Sequence, residues 1–198
     1  RTAGSAPVFP ATLGSRPRSR MNRQQLAHLL RASAQIAGDK DILVIGSQAI
    51  LGSFDEDDLP APATASREVD IAFLDDPDGH KADLVDGAIG ELSPFDEQFG
   101  YYAQGVAVTT AVLPTGWEGR LVTWQNQSTG QAKAVFLEPH DLALAKLAAF
   151  RDKDRAFVGA LLDANLLNTN TLLGRLVDLP VAPLARDRIA EFLRHRST

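Results

Sequence analysis

The sequence predicts an α/β (α+β) protein in which short strands alternate with helices and the C-terminal part is helical. The run from Asp41 to Ile45 is typical of a buried strand, because its apolar residues are bounded by an aspartate and by Gly46. Glu68 to Leu74 alternates acidic and apolar side chains, as a strand does, and ends in a turn rich in Asp, Pro and Gly. Pro139 is typical of a first helical position, Asp141 is a favourable charge in the first turn, and the stretch that follows is apolar around most of a helix's circumference.

A helix is expected before the first strand. Asn22 is a good N-cap, Gln25 three residues later predicts a capping box, and Gly38 is a typical stop. Residues 1–20 are rich in Arg, Ser, Gly and Pro but lack the apolar region of a secretory signal. We therefore predict a non-native or flexible tail over residues 1–20, with Met21 as the natural start. An ordered basic arm is the alternative.

The middle of the chain carries weaker signals. Four acidic residues at 55–58, close to two prolines, predict a solvated loop, with a lid or partner-binding loop as the alternative. Leu84 to Leu92 has a helical period. Val106 to Leu113 is rich in Val and Thr and predicts a third strand, and Lys133 to Leu137 predicts a closing strand.

The composition is that of an ordinary globular protein, with 198 residues, 44% apolar residues and a net charge of -5. An acidic chain does not coat nucleic acid by charge alone, although a local basic site is compatible with it. There is no cysteine, which excludes disulfides, and the four histidines lack metal-ligand spacing. No stretch reaches the roughly 18 apolar residues of a membrane span. We therefore expect a cytoplasmic protein with no membrane partner.

Two short stretches carry residues suited to chemistry. Gly46 and Ser47 follow the first strand, where backbone N–H groups and a hydroxyl can approach an anion without a Cβ in the way. Glu68 and Asp70 lie two residues apart on the next strand and therefore point to the same face. Two adjacent carboxylates repel one another unless a cation lies between them, and oxygen ligands of this kind suit Mg²⁺.

A third candidate is a lysine within an apolar helix. Lys146 is the only charge in the middle of DLALAKLAAF, so an anion is expected beside it. If the helix is continuous, Lys146 and Asp154 lie on one face. The alternative is that Lys146 extends to solvent and that Asp154 pairs with Arg151 or Arg155 on an exposed face.

These motifs resemble those of a known superfamily. Gly46-Ser47, followed by Glu68-Val69-Asp70 and an apolar strand, resembles the nucleotidyltransferase signature hG[GS]…[DE]h[DE]h, where h is apolar. The stretch LEPHDLALAKLAAFRDKD is similar to the C-terminal motif of the AbiEii-like nucleotidyltransferase toxins and their mycobacterial relatives, with Lys146, Arg151 and Asp154 in a Lys-x4-Arg-x2-Asp arrangement. The resemblance extends over residues 42–157.

The resemblance implies a domain organisation. A nucleotidyltransferase-like mixed sheet flanked by helices is expected over residues 21–137, and residues 138–198 are expected to form a C-terminal helical lobe that completes the active site. In many nucleotidyltransferases the third strand supplies a third carboxylate. The predicted strand from Val106 to Leu113 contains no acid, which departs from a three-carboxylate, two-metal site.

The resemblance also implies roles for individual residues. Mg²⁺ or Mn²⁺ is the expected metal, and an NTP is the expected substrate. The expected catalytic residues are Glu68, Asp70, Lys146 and Asp154, with Glu68 and Asp70 as metal ligands and Asp154 as a base or supplementary metal ligand. The expected nucleotide-binding residues are Gly46, Ser47, Ser66 and Arg151.

The predicted activity is transfer of a nucleoside monophosphate from an NTP to an acceptor hydroxyl. The resemblance favours a tRNA 3′ end as acceptor, with the protein as the toxin of a toxin–antitoxin pair and an antitoxin as its partner. Transfer to a protein or small molecule, or an inactive nucleotide-binding or antitoxin-like module, is the alternative. The last predicted helix, Pro183 to Arg196, carries four arginines. They form a solvated face or contact tRNA phosphates or an acidic antitoxin.

Overall fold

The computed structural model of the protein describes residues 20–124 and 127–196, so residues 1–19 of the predicted tail lie outside the described residues. The strands are β1 (Asp41–Val44), β2 (Glu68–Ala72), β3 (Tyr102–Gly105), β4 (Val122–Trp124) and β5 (Lys133–Phe136). The helices are α1 (Arg23–Ala37), α2 (His80–Ile89), α3 (Pro94–Phe99), α4 (Pro139–Ala149), α5 (Asp152–Asp163), α6 (Thr169–Leu176) and α7 (Pro183–His195).

The strands form one five-stranded mixed sheet in the order β3-β2-β1-β5-β4. The central strand β1 is antiparallel to β2 and parallel to β5, and β3 runs parallel to β2. Ile42, Leu43 and Val44 of β1 are completely buried, as expected for a strand between two others and beneath helices. The predicted mixed sheet flanked by helices is confirmed.

The first helix forms as its sequence predicts. Asn22 accepts a hydrogen bond from the Gln25 amide at 2.8 Å, and the Gln25 side chain accepts one from the Asn22 amide at 3.1 Å. Gly38 ends the helix in the left-handed region, with φ 64°. Both ends of α1 are therefore fixed by local chemistry.

The predicted third strand, Val106 to Leu113, is wrong. The strand is Tyr102–Gly105, and Val108–Thr110 forms a 3₁₀ turn. The cause is the length of the neighbouring strand: β2 ends at Ala72, and the last ladder bond joins the Val106 amide to the Ile71 carbonyl at 2.9 Å. Beyond that point a Val- and Thr-rich segment has no partner strand, so its β-propensity is not expressed.

The second motif lies on two helices rather than one. Phe150 adopts φ 54° and ends α4, and Arg151 is extended and is the N-cap of α5. The Asp154 carboxylate accepts a hydrogen bond from the Arg151 amide at 3.2 Å, which satisfies a free N–H at the start of α5. The predicted common face of one continuous helix does not exist, although Lys146 and Asp154 still meet across the junction.

A buried ionic network fixes α4 against its neighbours. Asp141, only 1% exposed, accepts hydrogen bonds from Arg120 Nε at 2.7 Å and from Arg175 at 2.9 Å. Glu138 caps α4 and pairs with Arg175 and His140. Burial raises the pKa of Glu138, but hydrogen bonds from His140 and Arg175 outweigh it and lower the pKa to about 2. The sequence had suggested only a favourable charge in the first turn for Asp141.

One apolar cluster connects the sheet to the C-terminal helices, including Phe136, Leu142, Leu161 and Ile189. The boundary between residues 21–137 and 138–198 stays a prediction.

In the acidic loop, Asp57 and Asp58 are exposed, whereas Leu59, which follows them, is buried. Among the described residues, every helix is too short or too polar to cross a bilayer.

Candidate functional site

The turn after β1 lies directly against β2. Gly46 and Ser47 lead from β1 into a short 3₁₀ helix, Ser47–Gly52. The Ile45 amide donates to the Asp70 carbonyl at 3.2 Å, which holds the turn beside the middle of β2. A Cβ on Gly46 would overlap the Asp70 carboxylate, so this close approach requires glycine.

The two carboxylates of β2 form a pair. Burial raises the pKa of Asp70 to about 6, and the neighbouring charge and hydrogen bond of Glu68 act in the same direction. Lys146 and Lys153 partly oppose this rise in pKa. The Tyr102 hydroxyl donates to Glu68 at 3.2 Å. The pair is therefore half-buried and short of positive charge, which is a favourable setting for a cation.

The Lys146 amine points into the same site rather than to solvent. Its Nζ donates to the Ser47 hydroxyl at 3.0 Å and lies 3.9 Å from the Asp154 carboxylate. The amine is also 5.5 Å from the centre of the Phe157 ring. Burial lowers the pKa of Lys146, while Asp154 and Asp70 oppose that change. The expected anions beside this lysine are therefore present.

The Asp154 carboxylate is buried and hydrogen-bonded to its neighbours. It is 1% exposed, and its two oxygens accept hydrogen bonds from Arg151 Nε at 2.7 Å and from Arg151 Nη2 at 3.2 Å. These bonds raise the pKa of Arg151. The arginine side chain itself remains 59% exposed. Asp154 thus holds both an exposed guanidinium and a buried ammonium in place.

These side chains surround a cavity of about 180 Å³. Its lining includes Gly46, Asp70, Thr110, Lys146 and Arg151. Whole small-molecule ligands fill pockets of roughly 300–1,000 Å³, so a cavity of this size suits phosphate groups rather than a complete nucleotide. Asp70 with the adjoining Glu68, and Lys146 with Arg151, can together hold a phosphate chain and a metal ion.

Residues 24–181 match the family described as nucleotidyltransferases of unknown function (DUF6036). The chain belongs to this family. Membership supports the nucleotidyltransferase superfamily, and the closer relationship to the AbiEii-like toxins stays a prediction. No curated protein and no solved structure matches the chain significantly.

The structure brings most of the predicted site residues together. Gly46, Asp70, Lys146 and Arg151 line one cavity, and their partners Ser47, Glu68 and Asp154 adjoin it. Ser66 lies behind the acidic pair: its hydroxyl accepts from the Glu68 amide at 3.1 Å and shapes the start of β2. Its role in nucleotide binding stays a prediction.

The sequence reasoning missed several supporting residues. Tyr102 contacts Glu68, and Gln104 lies opposite Asp70 in the β2–β3 register, where a neighbouring strand could supply a third carboxylate. Buried Gln48 donates to the Ser66 carbonyl at 3.2 Å. Among the described residues no group of three metal-binding side chains occurs. Correct placement of β3 would have revealed Tyr102 and Gln104 as alternate residues on one face.

Replacing Gly46 tests the close approach to Asp70. Gly46→Ala should lower the free energy of unfolding by about 1–3 kcal/mol, because the new methyl group must displace the carboxylate. Gly87→Ala is the matched control, since nothing lies near the added Cβ in α2 and stability should rise by up to about 1 kcal/mol. Urea unfolding measures the stability of both variants. An equal effect of the two substitutions would contradict a close approach of Gly46 to the Asp70 carboxylate.

The raised pKa of Asp70 predicts a pH dependence of stability. The folded protein holds this proton up to about pH 6, whereas the ordinary pKa is 3.8. The proton's stabilising contribution is therefore complete below about pH 4 and disappears as the pH rises through about 6. With a metal chelator present, the free energy of unfolding of Asp70→Asn should exceed that of the wild type by about 1–3 kcal/mol at pH 7. The two values should converge near pH 4. The measurement is urea unfolding at a series of pH values. If the stabilities of the two proteins changed with pH in parallel, the raised pKa of Asp70 would be refuted.

Proposed function

We propose that the protein is a nucleotidyltransferase that uses Mg²⁺, or Mn²⁺, to transfer a nucleoside monophosphate from an NTP to an acceptor hydroxyl. The observation that carries the proposal is the position of Lys146. Lys146 lines the same cavity as Asp70, and its amine donates to the hydroxyl of Ser47, 99 residues earlier in the chain. Family membership supports the reaction type.

The acidic pair fits a divalent cation. Glu68 contributes to the raised pKa of Asp70, after burial, and a bound cation would relieve the repulsion between the two carboxylates. Two carboxylates provide only part of the octahedral oxygen shell of Mg²⁺, and phosphate oxygens and water complete such shells in nucleotide enzymes. Bound there, the metal would neutralise charge on the phosphates.

The remaining residues act on the phosphates. The acceptor oxygen forms a bond to the α-phosphorus, the bond to the leaving pyrophosphate breaks, and the acceptor proton passes to water or to the acidic pair. Lys146 and Arg151 offset the charge that develops on the pyrophosphate. The Gly46–Ser47 turn offers its backbone and hydroxyl to the triphosphate because no side chain blocks the approach.

We propose that Asp154 positions the two cationic side chains, Lys146 and Arg151. It was expected to act as a base or supplementary metal ligand. Its oxygens already accept hydrogen bonds from Arg151, and it lies 3.9 Å from the Lys146 amine, which supports the positioning role. In this role Asp154 opposes the lowering of the Lys146 pKa by burial.

The proposed acceptor is a tRNA 3′ end, and the proposed biological role is that of a toxin with an antitoxin partner. Support comes from the resemblance of the Lys146–Arg151–Asp154 motif to that of the nucleotidyltransferase toxins. In the structure Asp154 forms ion pairs with both Lys146 and Arg151.

Asp70→Asn tests the transferase proposal. The purified protein is incubated with each labelled NTP, Mg²⁺ and total tRNA, and the label is followed by gel electrophoresis. Asp70→Asn should reduce transfer by about a hundredfold or more, because a ligand and its charge are lost. Asp83→Asn, an exposed carboxylate on α2, should change the rate by less than about twofold.

The same assay separates the acceptors. Labelled tRNA supports the proposal, whereas labelled protein would replace the tRNA acceptor by a protein hydroxyl. Binding of NTP without transfer in the wild type would identify the chain as an inactive nucleotide-binding module. Full activity of Asp70→Asn would remove the metal assignment.

Asp154→Asn separates positioning from base catalysis. Because Asp154 raises the pKa of Lys146 against the effect of burial, its loss should lower that pKa further. The alkaline limb of the pH–rate profile should therefore move to lower pH, with the acidic limb unchanged. Loss of the acidic limb with an unmoved alkaline limb would assign Asp154 as the base.

A further inference from the structure

A second concave surface lies on the other side of the α4–α5 junction. It is a groove of about 460 Å³, which we call the arginine groove. Its lining includes Phe150, Arg155, Arg188, Glu191, Phe192 and Arg196. The site described above uses none of these residues.

The charge of the groove opposes that of the chain. The whole protein carries a net charge of -5, yet three arginines and a single glutamate line this surface. Arg188 of α7 and Arg196, which caps the end of that helix, line the groove, whereas Arg186 and Arg194 do not. Arg186 instead donates to the Leu179 carbonyl at 3.0 Å. A local excess of positive charge on an acidic protein favours an anionic partner.

Aromatic rings hold the guanidinium groups. Arg188 lies 4.1 Å from the centre of the Phe150 ring, and Arg155 lies 5.0 Å from the same ring. Arg155 and Arg196 also pair with Asp152 and Asp163. Arg188 has no carboxylate partner within the part of the chain that the structure describes, so its N–H groups are free to bind phosphate.

The groove adjoins the candidate active site through one short segment. Ala149 and Arg151 line the cavity, and Phe150, between them, lines the groove. A flexible anionic chain bound in the groove would therefore reach the cavity with its end.

We infer that the arginine groove binds a single-stranded polynucleotide whose 3′ end is the acceptor. Phosphates would contact the arginines, and bases would stack on the guanidinium planes that lie over the Phe150 and Phe192 rings, which is how proteins bind single strands without reading sequence. An acidic peptide would use the charges but not these stacking planes. The inference rests on the proposed function and identifies the surface that its acceptor occupies.

Arg188→Ala tests the groove, with Arg194→Ala as the matched control. Both arginines are exposed on α7, and Arg194 does not line the groove. Binding of a short fluorescent single-stranded RNA is measured by anisotropy at about 50 and about 200 mM salt, in an Asp70→Asn background without NTP. Arg188→Ala should weaken binding about tenfold and reduce the salt slope by about one, whereas Arg194→Ala should stay within about twofold.

Equal effects of the two substitutions would overturn the inference. Tight binding of fluorescent polyglutamate with the same dependence on Arg188 would also overturn it, since the groove would then be a protein-binding surface. RNA binding that depends on Arg188, in a chain that transfers no nucleotide, would remove the proposed function and the acceptor role of the 3′ end, while the groove would stand as a surface that binds single strands. Transfer to RNA with an unchanged acceptor KM in Arg188→Ala would remove the groove alone.

Discussion

A buried ammonium group is the constraint on which the site depends. Lys146 lies in a largely apolar helix, where an unpaired charge would cost several kcal/mol. The chain offsets that cost with the Ser47 hydroxyl from the turn after β1 and with the Asp154 carboxylate and the Phe157 ring from α5. Each of these contacts also brings a segment to the cavity. The stability of the lysine and the assembly of the site are therefore the same physical problem.

The supports of this lysine are themselves fixed from behind. The Asp141 network with Arg120 and Arg175 holds α4 to the β4 side of the sheet and to α6. On the opposite wall, the absence of a side chain at Gly46 lets the Asp70 carboxylate approach the turn. The site is thus built on β2, on the turn after β1 and on a largely buried helix, which position charged groups more accurately than mobile loops do.

Local signals predicted the parts of this structure that depend on local chemistry. The capping box at Asn22, the apolar β1 and the alternating acids of β2 were all readable from spacing. The position of β3 was not, because the end of a strand is set by its neighbour and Val- and Thr-rich sequence cannot reveal where that neighbour stops. Phe150 likewise gave no sign of a helix end, because glycine is the usual residue in the left-handed region. The buried pairing of Asp141 joins residues far apart in sequence and has no local signal.

Phe150, at the junction between α4 and α5, has a thermodynamic consequence. A bulky residue in left-handed geometry costs roughly 1–2 kcal/mol relative to glycine. The protein tolerates the strain, and the ring supplies a platform for Arg155 and Arg188. A family member selected only for heat resistance would gain by adopting glycine there and would lose the platform. The residue found at this position thus becomes a marker of whether a homologue has retained the neighbouring surface or exchanged it for robustness.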